Sequence, residues 1–336
     1  MSDEENNTAE IPSEISIPHI GRFWMYLVFE IPSLICCIFV LSHFLLIRTL
    51  RQALYNHMII FLLILNLIVQ ITDIPWILHF YRLDQISLST KTFCMVWVYI
   101  DETAAITTTL LFSWTTIERH ILIFHDRWVS TSKRIFFVHY LPMILLSLYC
   151  LCFSIIVILF PPCANTFHFD QVICGYPLCF YEDDFVGIWD LLVNHMLPTV
   201  LIVLASATLL GRIIYQKKRI RQPIRWKKHR KMAIQLLAIS VLYLILYIPV
   251  TLVEFAHFCG VPEEIGGNFI VYAEFFSYYI YLLFPFVSAG SLPHLKSKIR
   301  RFIPFYREQI HEITPQVFHV QQRITGRSNV DSTTIH

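Results

Sequence analysis

Residues 94–125 read CMVWVYIDETAAITTTLLFSWTTIERHILIFH, and the polar positions in this stretch decide how the rest of the chain is read. It is long and apolar enough to cross a bilayer as a helix, for which about 20 residues suffice. Cys94, Asp101 and Arg119 are separated by seven and eighteen residues, about two and five turns at ~3.6 residues per turn. The three therefore share one stripe of the helix. Charged groups at membrane depth turn toward a protein interior or a water-filled cavity, and they tend to be functional. Other helices must surround this one.

The composition agrees. Hydrophobic residues make up 56% of the 336 and charged residues only 15%, against about 25% charged in soluble domains. A soluble protein this apolar would expose large greasy patches, so the chain reads as an integral membrane protein. The nine cysteines form no CxxC or Cys/His metal pattern. Cys36, Cys37, Cys150 and Cys152 lie in apolar segments, where a small buried thiol is the simple reading.

Residues 1–20 are polar and acidic, without the apolar core of a signal peptide. Asn6-Asn7-Thr8 is a glycosylation sequon. Seven long apolar segments follow, at roughly 22–48, 57–80, 94–124, 135–160, 186–214, 232–258 and 268–291. Continuous apolar runs imply helices, since a membrane β-barrel would show alternation. The expected fold class is an all-α seven-helix membrane bundle. With the N-terminus outside, every Lys and Arg but Arg22, Arg82 and Lys91 falls on the inner side. The densest run, residues 212–231, contains no acid, and this asymmetry obeys the positive-inside rule. Trp24, Trp76, Trp97 and Trp189 near outer ends, with Trp128 and Trp226 inside, suit interfacial belts. On this topology Cys94, Cys163, Cys174, Cys179 and Cys259 lie outside. Residues 1–21 form an outer tail, 22–291 the bundle, 292–305 a short amphipathic helix on the inner leaflet, and 306–336 a polar inner tail.

Over residues 20–303 the chain resembles a rhodopsin-like (class A) G-protein-coupled receptor. In that family the third helix opens with a cysteine and ends in an Asp/Glu-Arg-Tyr triplet. Cys94 and Glu118-Arg119-His120 stand at those places with matching spacing. Pro198 and Pro249 match the prolines of the fifth and sixth helices. Phe284-Pro285-Phe286-Val287-Ser288 stands where the family has Asn-Pro-x-x-Tyr. The resemblance implies a disulfide from Cys94 to the second outer loop, with Cys179 preferred over Cys174. Cys163 would then pair with the remaining one and Cys259 would stay free.

The departures bear on mechanism. Asn66 replaces the acid that holds sodium in the family, Leu246-Tyr247-Ile248-Pro249 replaces Cys-Trp-x-Pro, and Ser206 replaces an inner tyrosine. The fourth helix lacks the family tryptophan. Tyr278 stands where opsins carry the retinal lysine, which excludes an opsin.

The carboxylates Glu30, Asp73, Asp101, Glu102, Asp190, Glu254 and Glu274 all fall in the outer halves of their helices. Helical spacing groups them further. Glu254 lies above Tyr247 on one face, and Glu274, Tyr278, Tyr281 and Pro285 share another. Asn66, Gln70 and Asp73 form a stripe, and Asp190 and Asn194 are one turn apart. These positions describe an outward-facing cavity lined by acids and tyrosines, with scarcely a basic residue to neutralise it. Asp101, Glu254, Glu274, Asp190, Asp73, Tyr247 and Tyr278 are the candidate ligand-binding residues. An unpaired carboxylate out of water is costly, and a cationic ligand would supply the pairing. Glu118, Arg119 and His120 are the candidate G-protein coupling triplet, with Pro249 and Pro285 as hinges.

The histidines at positions 120, 125, 195, 229 and 257 show no ligand spacing, so neither metal nor cofactor is expected. No nucleophile elbow, phosphate loop or paired-carboxylate motif argues for an enzyme. The basic run near the membrane is read as a topology signal and lipid contact rather than a nucleic-acid site. The expected function is therefore a plasma-membrane receptor that binds an extracellular cationic peptide or amine and activates a heterotrimeric G protein. The rival is a transporter or channel for a cationic solute, although the sequence shows neither repeated halves nor broken helices.

Overall fold

A computed structural model describes residues 15–124, 131–161, 163–176, 178–182, 184–219, 223–262 and 265–290. The chain divides into two compact units, Met1–Ala289 and Gly290–His336, and everything described belongs to the first, Gly290 apart. The Asn6 sequon, Trp128, the expected inner-leaflet helix at 292–305 and the tail at 306–336 lie outside the described residues.

The described residues contain no strand. In chain order the helices are α1 (His19–Leu46), α2 (Arg48–Arg51), α3 (Leu54–Ile71), α4 (Asp73–Leu83), α5 (Lys91–Phe124), α6 (Ser132–Ile135), α7 (Leu141–Ser154), α8 (Asp184–Trp189), α9 (Leu197–Arg219), α10 (Pro223–Phe258), α11 (Gly267–Ser277) and α12 (Tyr279–Gly290). Short π-helical segments, Phe136–Tyr140, Ile155–Leu159 and Asp190–Met196, join α6 to α7, extend α7 and join α8 to α9.

Among the described residues six helical stretches are long and apolar enough to cross a membrane: His19–Leu46, Leu54–Leu83, Ser132–Leu159, Phe185–Arg212, Ile234–Phe258 and Gly267–Gly290. The chain is a multi-pass membrane protein. Its packing is inside out relative to a soluble domain. Leu46, Ile245 and Ile35 are 82%, 65% and 64% exposed, whereas Asp73 and Asn194 are fully buried. Soluble proteins do not leave such rows of aliphatic side chains open while burying carboxylates.

The organising stretch is α5, a helix of 34 residues. It is longer than any of the six, but Asp101, Glu102, Glu118, Arg119 and a run of threonines make it less apolar. The threonines bond back to their own helix: Thr109 donates to the Ala105 carbonyl at 2.8 Å and Thr115 to the Leu111 carbonyl at 2.7 Å. α5 sits centrally and packs against α3, α4, α7, α9 and α10. As the spacing requires, Cys94, Asp101 and Arg119 are all buried.

Two stretches are interrupted, where unbroken apolar runs lead one to expect continuous helices. α3 ends at Thr72 (φ −116°, ψ −70°) before α4 begins at Asp73. Pro75 has no N–H to return to the Ile71 carbonyl, so the ladder breaks just upstream of it. The second break is the turn at Tyr278, between α11 and α12. Further along α12, Pro285 cannot donate to the Tyr281 carbonyl, and Gln70 Nε2 donates to that oxygen at 3.1 Å instead. A polar side chain buried in α3 thus satisfies a backbone group freed by a proline on another helix.

Candidate functional site

The connection after α7 is fastened twice. Disulfides join Cys94 to Cys174 and Cys163 to Cys179, with Cα–Cα distances of 5.8 and 5.9 Å. The expected pairing of Cys94 with Cys179 is therefore corrected. Backbone bonds set the partner. His168 N–H donates to the Cys174 carbonyl at 2.9 Å and Cys174 N–H to the Gln171 carbonyl at 3.2 Å, folding a tight turn that presents Cys174 to the start of α5. Cys179 is held elsewhere, its N–H donating to Asn165 Oδ1 at 3.1 Å. Cys259 is free, as expected.

That turn is left-handed. Ile173, Cys174, Gly175 and Tyr176 have φ of 55°, 56°, 75° and 47°. Each non-glycine residue held there costs about 1–2 kcal/mol. A Cβ on Gly175 would lie 2.8 Å from Gln171 Oε1 and 2.9 Å from His168 Cβ, so glycine is required by space as well as by φ. The turn aims Tyr176 into the bundle. Its hydroxyl donates to Asp101 Oδ2 at 3.0 Å, while Tyr278, at the break between α11 and α12, donates to Asp101 Oδ1 at 2.8 Å. The two phenol oxygens are 3.0 Å apart. Tyr176 as a whole residue is 39% exposed, but its phenol end is enclosed beside Asp101; that enclosure first, then the Asp101 charge, holds the phenol well above its ordinary pKa, so it remains a donor.

Two cavities adjoin this knot at the disulfide end. One, of about 270 Å³, is lined by Asp101, Glu102, His195, Tyr247, Glu254 and Glu274 among others. The second, of about 370 Å³, is lined by Arg22, Tyr26, Tyr81 and the loop residues 170–173 and 175. Tyr176, Glu274 and Tyr278 line both and form the partition between them.

On the far wall of the first cavity is a second polar cluster. His195 Nε2 lies 3.7 Å from Glu102 Oε1 and 3.5 Å from Asp190 Oδ2. Its other ring nitrogen is hydrogen-bonded to the Tyr247 hydroxyl. Asn194 Nδ2 donates to Asp190 Oδ1 at 2.7 Å, Tyr149 donates to Asn194 Oδ1 at 2.8 Å, and Trp189 Nε1 donates to the Tyr149 oxygen at 2.9 Å. The expected one-turn relation of Asp190 and Asn194 is therefore a hydrogen bond. The expectation that scarcely a basic residue is at hand is corrected in part, since His195 sits between two of the acids. It escaped the α-helical reading because the π-segment Asp190–Met196 brings residues five apart onto one side.

The remaining candidates differ in place. Of the other ligand-binding candidates, Asp73 lines neither cavity but its carboxyl lies against that of Asp101: it is fully buried, and Trp97 Nε1 donates to its Oδ1 at 2.7 Å. Asp190 reaches the cavity only through His195. Glu30 is buried in α1 with neither carboxylate oxygen hydrogen-bonded. Arg22 does not stand out in the sequence, because it sits at a helix start, yet it is buried beside the second cavity. It donates to the Ile17 carbonyl at 2.8 Å and stacks 5.1 Å over the Tyr81 ring, and no carboxylate among the described residues pairs with it. Tyr176 carried no sequence signal because its position depends on a loop turn.

At the opposite end of α5, Glu118 and Arg119 are both buried. They do not pair with each other. Glu118 Oε1 is 2.5 Å from His139 Nδ1, and His139 Nε2 is 3.3 Å from His57 Nδ1. Arg119 Nη2 donates to the Tyr55 carbonyl, its guanidinium lies 5.3 Å from the Tyr55 ring centroid, and its Nη1 has no hydrogen-bond partner. Pro249 and Pro285 lie inside α10 and α12.

No family model matches this chain, and no curated protein is found to be similar to it.

Proposed function

We propose that the chain is a cell-surface receptor of the rhodopsin-like class, with α5 as a seventh span and the disulfide end outside. In this reading it binds an extracellular cationic peptide or amine and activates a heterotrimeric G protein. The observation that carries the reading is the Asp101–Tyr176–Tyr278 knot. Asp101 and the two phenols bring acceptor oxygens to one point. With Asp101 ionised, both phenol protons go to the carboxylate, and the phenol oxygens face each other without a hydrogen between them. An ammonium or guanidinium brings only donors and satisfies all of these acceptors.

Glu254 and Glu274 on the walls of the same cavity favour a ligand with more than one positive group. The lysine and arginine asymmetry supports an N-terminus outside. Arg119, at the other end of the helix that bears Asp101, supports a switch read out on the inner side. The mechanism is a population shift: the ligand binds one helix arrangement better and draws the bundle toward it. A screen of amines and basic peptides against cells carrying a promiscuous G-protein reporter tests the proposal. An agonist that is neutral or anionic, with binding indifferent to Asp101→Asn, would overturn it.

The second reading is a cation transporter. The helix breaks at Thr72 and Tyr278, both beside buried acids, favour it, because interrupted spans recur at transporter binding sites. Ligand-coupled cation flux in proteoliposomes separates the two.

A further inference from the structure

We propose that Glu102, Asp190 and His195 form a binding site for a divalent transition-metal cation of the zinc type. Each residue offers one ligand atom, and the three atoms lie within 4.8 Å of one another. Zinc bonds to nitrogen and oxygen are about 2.0–2.2 Å long. Two ligands on a tetrahedral ion are then about 3.3–3.5 Å apart by that geometry. The spacings from His195 Nε2, 3.7 Å to Glu102 and 3.5 Å to Asp190, need to close by a few tenths of an ångström, and the Glu102–Asp190 spacing, within 4.8 Å, by up to about 1.5 Å.

Three further observations point to a cation at this place. Glu102 Oε1 and Asp190 Oδ2 are the oxygens turned to His195 Nε2, both are buried, and neither receives a hydrogen bond. A buried carboxylate oxygen without a donor is an uncompensated cost unless something positive meets it. Charge gives the second reason. A proton on His195 balances one of the two carboxylates, whereas a divalent ion held by neutral imidazole balances both. The third is the outer layer. Metal-bound histidine usually hydrogen-bonds through its other nitrogen, and ligating carboxylates are themselves hydrogen-bonded. Here His195 Nδ1 is engaged by Tyr247, and Asp190 Oδ1 accepts from Asn194.

Three protein ligands leave a fourth position for water or an exogenous donor. Glu102 and His195 line the 270 Å³ cavity, so that position faces it. The assignment revises the expectation of no metal. It does not depend on the receptor reading, since a transporter or another membrane protein could hold the same ion.

The test uses the full chain purified in detergent, stripped with chelator, on a Cys259→Ser background that removes an exposed thiol. Zn²⁺ binding is followed by calorimetry and Co²⁺ substitution by visible absorbance. The expected result is one Zn²⁺ per chain and a tetrahedral Co²⁺ spectrum. Glu102→Gln, which keeps the side chain's shape, should weaken binding at least tenfold and abolish the spectrum, and His195→Ala should do the same. Asn194→Ala should weaken binding by about 10–100-fold, as loss of an outer-layer partner does. No Zn²⁺ binding at 100-fold molar excess overturns the proposal. So does binding that Glu102→Gln leaves unchanged in protein that remains monodisperse, because the ion then sits elsewhere.

Discussion

Asp101→Asn separates the charge at position 101 from its shape. The amide keeps one carbonyl oxygen, so one of the two phenols, Tyr176 or Tyr278, retains an acceptor. Its NH2 faces the second phenol, whose oxygen can accept. The folded state therefore gives up about one ordinary hydrogen bond, ~0.5–1.5 kcal/mol. Binding of a cation loses much more. Truncating one partner of a buried, hydrogen-bonded charge pair costs ~2–5 kcal/mol. At ~1.4 kcal/mol per tenfold that is about 30-fold to ~4,000-fold in Kd. Asp101→Ala should weaken binding by at least the lower figure, with a greater loss of stability because both phenols lose the carboxylate and only one of them can then donate to the other across 3.0 Å. The assay is competition binding on membranes with whatever agonist the screen recovers, alongside thermal stability of the purified variant without ligand. Expected is a large affinity loss with a small stability loss. The reverse pattern, wild-type affinity in a markedly unstable variant, would refute the reasoning and make the knot a structural clasp.

Arg119→Ala should keep surface expression and agonist affinity within a few fold while G-protein activation collapses; normal activation would remove Arg119 from the switch. Trp97→Phe deprives Asp73 of its hydrogen-bonded donor in a fully buried site. It should cost ~1–3 kcal/mol, more if the carboxylate is charged, read as a lowered midpoint of thermal unfolding in detergent. Glu254→Gln and Glu274→Gln should each weaken a basic peptide severalfold or more but leave a small amine almost untouched, so their effect on dose–response curves reads the ligand class. Mass spectrometry of non-reduced peptides should recover Cys94 linked to Cys174, Cys163 linked to Cys179 and Cys259 as a thiol. A Cys94–Cys179 peptide would contradict the loop described above.

What could be read from the sequence was whatever helical periodicity controls. The shared stripe of Cys94, Asp101 and Arg119 and the cavity face carrying Glu254 and Tyr247 follow from 3.6 residues per turn, and both are found buried or lining as that period requires; Asp190 and Asn194 do bond as expected, but inside a π-segment. What could not be read lies where the period fails. The choice between Cys174 and Cys179 depends on a left-handed turn whose φ values no pattern announces, and Tyr176 reaches Asp101 only through that turn. His195 joins Asp190 through a π-segment, five residues along instead of four. The separation of Glu118 from Arg119 is different again: the residue that takes Glu118, His139, comes from another π-segment, far away in the chain.

The polar contacts of α10 suggest how these irregular places could act together. Three of its side chains, Ser240, Tyr243 and Tyr247, lie three to four residues apart and so share a face. Ser240 accepts from Ser206 of α9 at 2.9 Å, Tyr243 donates to Thr109 of α5 at 2.6 Å, and Tyr247 meets His195 of the π-segment. The Tyr243 and Tyr247 rings are themselves 4.9 Å apart. The Tyr247 contact lies two residues before Pro249, where the helix has lost a backbone bond and bends most easily. Of the three bonds, the one at Tyr247 ends on a group that also faces the acid cluster. A cation taken up by Glu102, Asp190 and His195 would change the donor and acceptor character of His195, and hence the strength of its bond to Tyr247. α10 would then be released or held at one point beside its weakest turn while remaining anchored at two others, which is the arrangement a hinge requires.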